Sequence, residues 1–207
     1  MKIKIVPFLF LLISLNGFAQ NDHLEPVDGY FDMYNYRYEY YGNIRSILFN
    51  GLSESPEVRY FVLPSFETEY VLQVERGRDT KNQVIVKRAK QSIWYTKDKS
   101  TIEVETWKNS LSQKDVDLIK QLYHNAIMKT QFVGHNTSGA DGTRFYFSVN
   151  NLGLNTGQTW SPSGDTKMGK LTQISEKLME EVKSTTFAGL STSLRSQIKE
   201  LTAALFL

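Results

Sequence analysis

Residues 59–76, RYFVLPSFETEYVLQVER, constrain the fold of this chain more than any other stretch. Tyr60 and Val62 alternate with Arg59, Phe61 and Leu63; beyond Pro64 and Ser65, Tyr70, Leu72 and Val74 alternate with Glu69, Gln73 and Glu75. Period-two alternation on both sides of a proline corner specifies two strands, or one bent strand, with Tyr70, Leu72 and Val74 turned to a core. Proline has no N–H to donate, so ladder bonding is expected to stop at Pro64. Arg59 is expected to pair with Glu67 or Glu69 across the corner.

The first residues point to where such a sheet is built. Lys2 and Lys4 precede an apolar run over 5–15, and the small residues Gly17 and Ala19 follow. This is the pattern of a secretory signal peptide over 1–19, cleaved between Ala19 and Gln20. The run is too short to span a bilayer, so a mature chain without a transmembrane segment is expected, exported to the periplasm or beyond the cell. Residues 20–207 suit a single α+β domain. The chain has no cysteine, so an exported fold must rest on its hydrophobic core, and thiol catalysis and Cys-ligated zinc are excluded. Without Lys2 and Lys4 the 24 basic residues fall to 22, equal to the 22 acidic ones. That balance supplies no counterion-release drive, and nucleic acid is not an expected partner.

Along the chain, 21–29 reads as an exposed leader. Tyr34, Tyr36, Tyr38 and Tyr40 then fall on every second residue, so an extended segment would present a tyrosine face. Ile44, Ile47 and Leu48 suggest a short helix ending near Asn50 and Gly51. Residues 84–87 and 92–95 read as strands, and Ile102, Val104 and Thr106 alternate with Glu103, Glu105 and Trp107 as a half-buried strand. Ser112 and Asp115 form a capping box, with Leu111 and Val116 as its hydrophobic staple, and start a helix running to about Lys129. Phe145, Phe147 and Val149 mark a strand. A hairpin loop is expected over 150–157 and a short strand over 158–161. Two helices follow, the first carrying Met168, Leu171, Ile174 and Leu178 and the second Leu190, Leu194, Ile198 and Leu201, with Gly189 between them. Strands joined by tight turns and helices grouped late give an α+β fold: a largely antiparallel meander sheet packed by a central helix and two C-terminal helices.

Motifs for chemistry are sparse. His23, His124 and His135 have no metal-ligand spacing, and HExxH, EF-hand, Gly-x-Ser-x-Gly and phosphate-loop patterns are missing. No metal or cofactor is expected. Carboxylates are plentiful: Glu67 and Glu69 beside the corner, with Asp141 on a Gly-rich loop, are the acids a glycosidase-like mechanism would use. Aromatic residues are the other excess. Tyr34, Tyr36, Tyr38, Trp94 and Trp160 offer flat rings with polar edges, a surface that stacks on sugars or fills a protein interface.

The corner Pro64-Ser65-Phe66 with Glu67 and Glu69, the Ile-Trp-Tyr run over 93–95, Asp141-Gly142 before an aromatic strand, and Thr-Trp-Ser-Pro over 159–162 resemble a pattern in uncharacterised exported bacterial proteins. The resemblance points to an exported protein and assigns it neither an activity nor functional residues. Two functions are compatible with these residues. The first is a non-enzymatic binding or inhibitor-type module of the cell envelope, using an aromatic and acidic sheet face toward a protein or glycan partner. The alternative is a carboxylate-dependent hydrolase acting on an envelope or extracellular polymer.

Overall fold

The computed structural model describes residues 22–27, 38–76, 81–132 and 141–206. The predicted signal peptide, Tyr34, Tyr36 and His135 lie outside the described residues. Among the described residues seven strands build one sheet: β1 (Glu25–Pro26), β2 (Val58–Pro64), β3 (Tyr70–Arg76), β4 (Asn82–Ala89), β5 (Val104–Leu111), β6 (Thr143–Asn150) and β7 (Leu154–Trp160). Their spatial order is β1-β7-β6-β2-β3-β4-β5, and every neighbouring pair is antiparallel. Among the same residues four α-helices accompany them: α1 (Tyr38–Ile47), α2 (Gln113–Met128), α3 (Lys167–Lys183) and α4 (Thr192–Phe206). The fold is α+β, with the meander β2–β5 extended by a β6–β7 hairpin that returns beside β2 rather than β5. No helix among the described residues is long and apolar enough to cross a membrane.

Both faces of the sheet are covered. Tyr60, Leu72, Val74, Val86, Phe147 and Val149 face α2, α3 and α4 in the larger core, as the alternation around the corner requires. Phe61, Leu63, Val71, Ala89 and Tyr146 face the opposite way, under Ile44 and Leu48 of α1 and its following turn, and Ile93. A strand buried on both faces carries apolar residues at nearly every position. β2 does so, and its polar residues therefore need internal partners.

Arg59 is the clearest case. Rather than meeting Glu67 or Glu69, it donates Nε to Gln73 Oε1 at 2.6 Å and Nη2 to the Ser53 carbonyl at 2.8 Å. Its guanidinium also lies 4.5 Å from the centre of the Phe49 ring. A strand rises about 3.3 Å per residue, so Arg59 sits about 16 Å from Pro64, out of reach of the corner. The expectation about Pro64 holds for one neighbour: pairing with β3 ends at Val62 opposite Tyr70, while pairing with β6 continues to Pro64 opposite Thr143.

Five other expectations are corrected. Tyr38 and Tyr40 are helical, not extended, because Tyr41, Ile44 and Leu48 recur at helical spacing and fill one core. Residues 93–95 form a turn rather than a strand. β7 begins at Leu154, inside the expected hairpin loop. The leader is not wholly exposed: Leu24 is fully buried, its carbonyl accepts from Gln131 N, and its side chain lies where a Gly157 side chain would otherwise stand. On β5, Trp107 packs toward the helices while Val104 packs toward the α1 side, and Thr106 is exposed, so neither face is purely polar.

The capping box at α2 does more than start a helix. Asp115 N donates to Ser112 Oγ at 3.1 Å, and the Ser112 hydroxyl donates to Asp115 Oδ2 at 2.9 Å. Buried Asp115 also receives Arg195 Nε at 2.7 Å and Nη2 at 2.9 Å, which ties α4 to the start of α2. These bonds hold the Asp115 carboxyl below its ordinary range, the Arg195 hydrogen bonds first. Arg195 keeps 38% of its side chain exposed, so solvent screening moderates the pair. Asp115→Asn is expected to cost about 2 kcal/mol at neutral pH. A depressed carboxyl pKa stabilises the fold above the unfolded value of about 3.9, and that contribution is lost as pH falls through the folded value. Urea unfolding of both proteins at pH 7 and at pH 2.5 checks this. A gap that is as wide in acid as at neutrality rules out the ion pair as its source.

Candidate ligand-binding cleft

The corner after β2 closes on the segment before β6. Ser65 N and Oγ both donate to the Gly142 carbonyl, at 3.0 and 2.7 Å, and Gly142 N donates back to Ser65 Oγ at 3.0 Å. Tyr95 adds its hydroxyl to the Ser65 carbonyl at 2.9 Å. Gly142 has no room for a side chain, because a Cβ there would stand 2.5 Å from the Trp160 ring. Trp160, at the end of β7, is paired with Arg144. The next residue, Ser161, takes a positive φ of 38° and accepts Thr143 N on its hydroxyl at 2.9 Å. Three segments far apart in sequence are thereby locked at one end of the sheet.

Glu69 brings in a fourth. It has 0% exposure, and its two oxygens accept from three donors: Oε1 from the Tyr40 hydroxyl at 2.8 Å and Trp94 N at 3.1 Å, Oε2 from Ile93 N at 2.8 Å. A carboxylate that collects two successive N–H groups bends the chain into the 93–95 turn. Lys99 secures that turn further, donating Nζ to the Ile93 carbonyl at 2.6 Å and to the Thr96 carbonyl. Tyr40 keeps its proton, since burial first and the Glu69 charge second push the phenol well above its ordinary value. Its ring meets Trp94 edge-on with centroids 4.8 Å apart.

The result is a cleft of about 160 Å³ on the α1 side of the sheet end. Tyr40, Trp94, Tyr95 and Trp160 supply its rings, and Asp141 and Arg144 supply its charges. Trp94 is 43% exposed and Tyr95 57%. Asp141 and Arg144 form no ion pair among the described residues.

The structure brings Trp94, Trp160 and Asp141 together, and leaves other sequence candidates apart. Tyr38 projects from α1 and does not line the cleft. Glu69 lies beneath it as a buried support. Glu67 is exposed in the bend before β3 and lines a separate groove of about 580 Å³ on the helical face. That groove contains Glu176 of α3, whose Oε1 accepts the hydroxyls of Tyr60 and Tyr70, each at 2.6 Å. Burial raises the Glu176 carboxyl. Neither Arg144 nor Glu176 was identified from sequence. Arg144 becomes visible only once β6 and β7 are in register, whereas Glu176 could have been suspected as an acid bordering the apolar stripe of a helix. Among the described residues no group of three His, Asp or Glu side chains converges to hold a metal ion.

No protein family, curated protein or solved structure matches this chain. The fold is an antiparallel sheet flanked by helices, with an aromatic cleft at one sheet end.

Proposed function

We propose that this chain is an exported envelope protein that binds a glycan, non-enzymatically, through the cleft between Trp94 and Trp160. The observation that carries this reading is the convergence of four aromatic rings around Asp141 and Arg144. A sugar ring has an apolar C–H face that stacks on an aromatic side chain and hydroxyls that hydrogen-bond to charged groups. The cleft is smaller than the roughly 300–1,000 Å³ that encloses a whole small molecule, so it suits one ring of a larger ligand. Binding is favoured over hydrolysis because paired-acid mechanisms need two carboxyl groups facing one bond. Asp141 is the one carboxylate among the described residues lining the cleft, and the oxygens of Glu69 are occupied by protein donors. The basic, apolar and small-residue order of 1–19 supports export.

A glycan array of bacterial envelope polysaccharides, followed by titration of tryptophan fluorescence, tests the reading. Trp160→Ala is expected to weaken binding at least about tenfold, the equivalent of about 1.4 kcal/mol, with Phe206→Ala on the exposed side of α4 as control. Fractionation is expected to find a chain beginning at Gln20 outside the cytoplasm. An array with no bound glycan, or binding indifferent to Trp160→Ala, removes this function.

A further inference from the structure

We propose that the ligand is a chain of linked sugar rings that crosses the saddle formed by Ser65 and Gly142 and seats further units in the groove on the helical face. This rests on the reading of the cleft as a glycan site and extends it to the length and path of the ligand. The cleft and the groove share Pro64, Ser65 and Gly142 as a common wall, so the two volumes adjoin. The wall is low because serine and glycine have little or no side chain. It is rigid because Ser65 and Gly142 exchange three hydrogen bonds and Tyr95 ties the Ser65 carbonyl. The approach of the Trp160 ring to Gly142 keeps the saddle low, since any side chain at 142 would meet that ring.

Rings rise on both sides of the saddle. Trp94 and Tyr95 flank it in the cleft; Phe66 and Phe145 flank it in the groove. Phe66 is 71% exposed at the tip of the corner, a position where a phenylalanine contributes little to the core. Gln173, Glu176 and Lys177 of α3 add a hydrogen-bonding rim to the groove. Aromatic faces with a polar rim complement the apolar face and hydroxyl edge of successive sugar rings on both sides. With about 580 Å³ against about 160 Å³, the groove has space for a larger part of the chain than the cleft. Linked units bind the second subsite at high effective concentration, so affinity grows with chain length.

The test is calorimetric titration of the purified protein with oligomers of glucose, of N-acetylglucosamine and of a uronic acid, each from the single sugar to the hexamer. In the series that binds, hexamer affinity is expected to exceed single-sugar affinity at least about tenfold. Phe66→Ala is expected to bring the hexamer back to the affinity of the single sugar while the unfolding midpoint stays that of the wild type. Equal affinity at every length overturns the crossing chain and leaves the single-ring cleft standing. So does a length gain that survives Phe66→Ala. No binding in any series overturns the glycan reading itself.

Discussion

Glu69→Gln is expected to lower the unfolding free energy by about 3 kcal/mol and to abolish binding at the cleft. Both effects come from one carboxylate. Its oxygens accept from the Tyr40 hydroxyl, Ile93 N and Trp94 N in a site with no solvent exposure. A glutamine amide offers one oxygen and one N–H₂, so in either orientation a buried donor faces another donor. Each unsatisfied donor costs about 1–3 kcal/mol, and the charge-assisted character of the remaining bonds is lost as well. Tyr40→Phe, which removes a single donor and leaves the carboxylate its two backbone partners, is expected to cost about 1 kcal/mol. Urea unfolding measures the cost, and the fluorescence of Trp94 reports whether the 93–95 turn keeps its place. A Glu69→Gln protein as stable as wild type would show that the turn is held by something else.

Gly169→Ala is expected to destabilise the protein by about 3 kcal/mol, against the usual trend for a helix. In an open helical position the same change stabilises by about 0.5–1 kcal/mol, because alanine restricts the unfolded chain. Gly42 of α1 is such a position: a Cβ there would meet nothing within 4 Å. At Gly169 it would lie 1.8 Å from the Ser163 carbonyl oxygen and 2.9 Å from Gly164 Cα. These are backbone atoms and cannot rotate aside. The loop they belong to also presents Thr166, whose hydroxyl caps α3 by accepting Gly169 N at 2.9 Å. Pushing the loop away therefore loosens the helix start and displaces Ser161 and Trp160 behind it. Gly42→Ala and Gly169→Ala should move the thermal midpoint in opposite directions. A shift of the same sign for both would mean that the loop does not press on α3.

Much of the secondary structure was legible because its causes are local. Tyr70, Leu72 and Val74 face one core as their alternation requires, and Ser112 with Asp115 marks the start of α2 to the residue. The misreadings have a common origin. Residues 92–95 carry the β-branched and aromatic types favoured in strands, yet the N–H groups of Ile93 and Trp94 go to Glu69, which is distant in sequence. Tyr38 and Tyr40 alternate as in a strand, but the apolar spacing of Tyr41, Ile44 and Leu48 that packs against the sheet is helical. Glu69 and Gln73 alternate with the core residues Tyr70, Leu72 and Val74, a spacing that by itself places them on a solvated face. They are buried because α1 and the 93–95 turn cover the second face.

The order of residues by itself determined strands β2 to β6, the capped helix, the antiparallel class and the residue types available for binding. All of these follow from the spacing of side chains within a few turns of helix or steps of strand. Only the tertiary structure decided that the Pro64 corner, the 93–95 turn, Asp141-Gly142 and Trp160 meet, that Arg144 joins them, and that Glu69 supports the cleft from below. Strand register and the covering of the second sheet face place these groups. Both are set by packing between segments tens of residues apart, which no local spacing encodes.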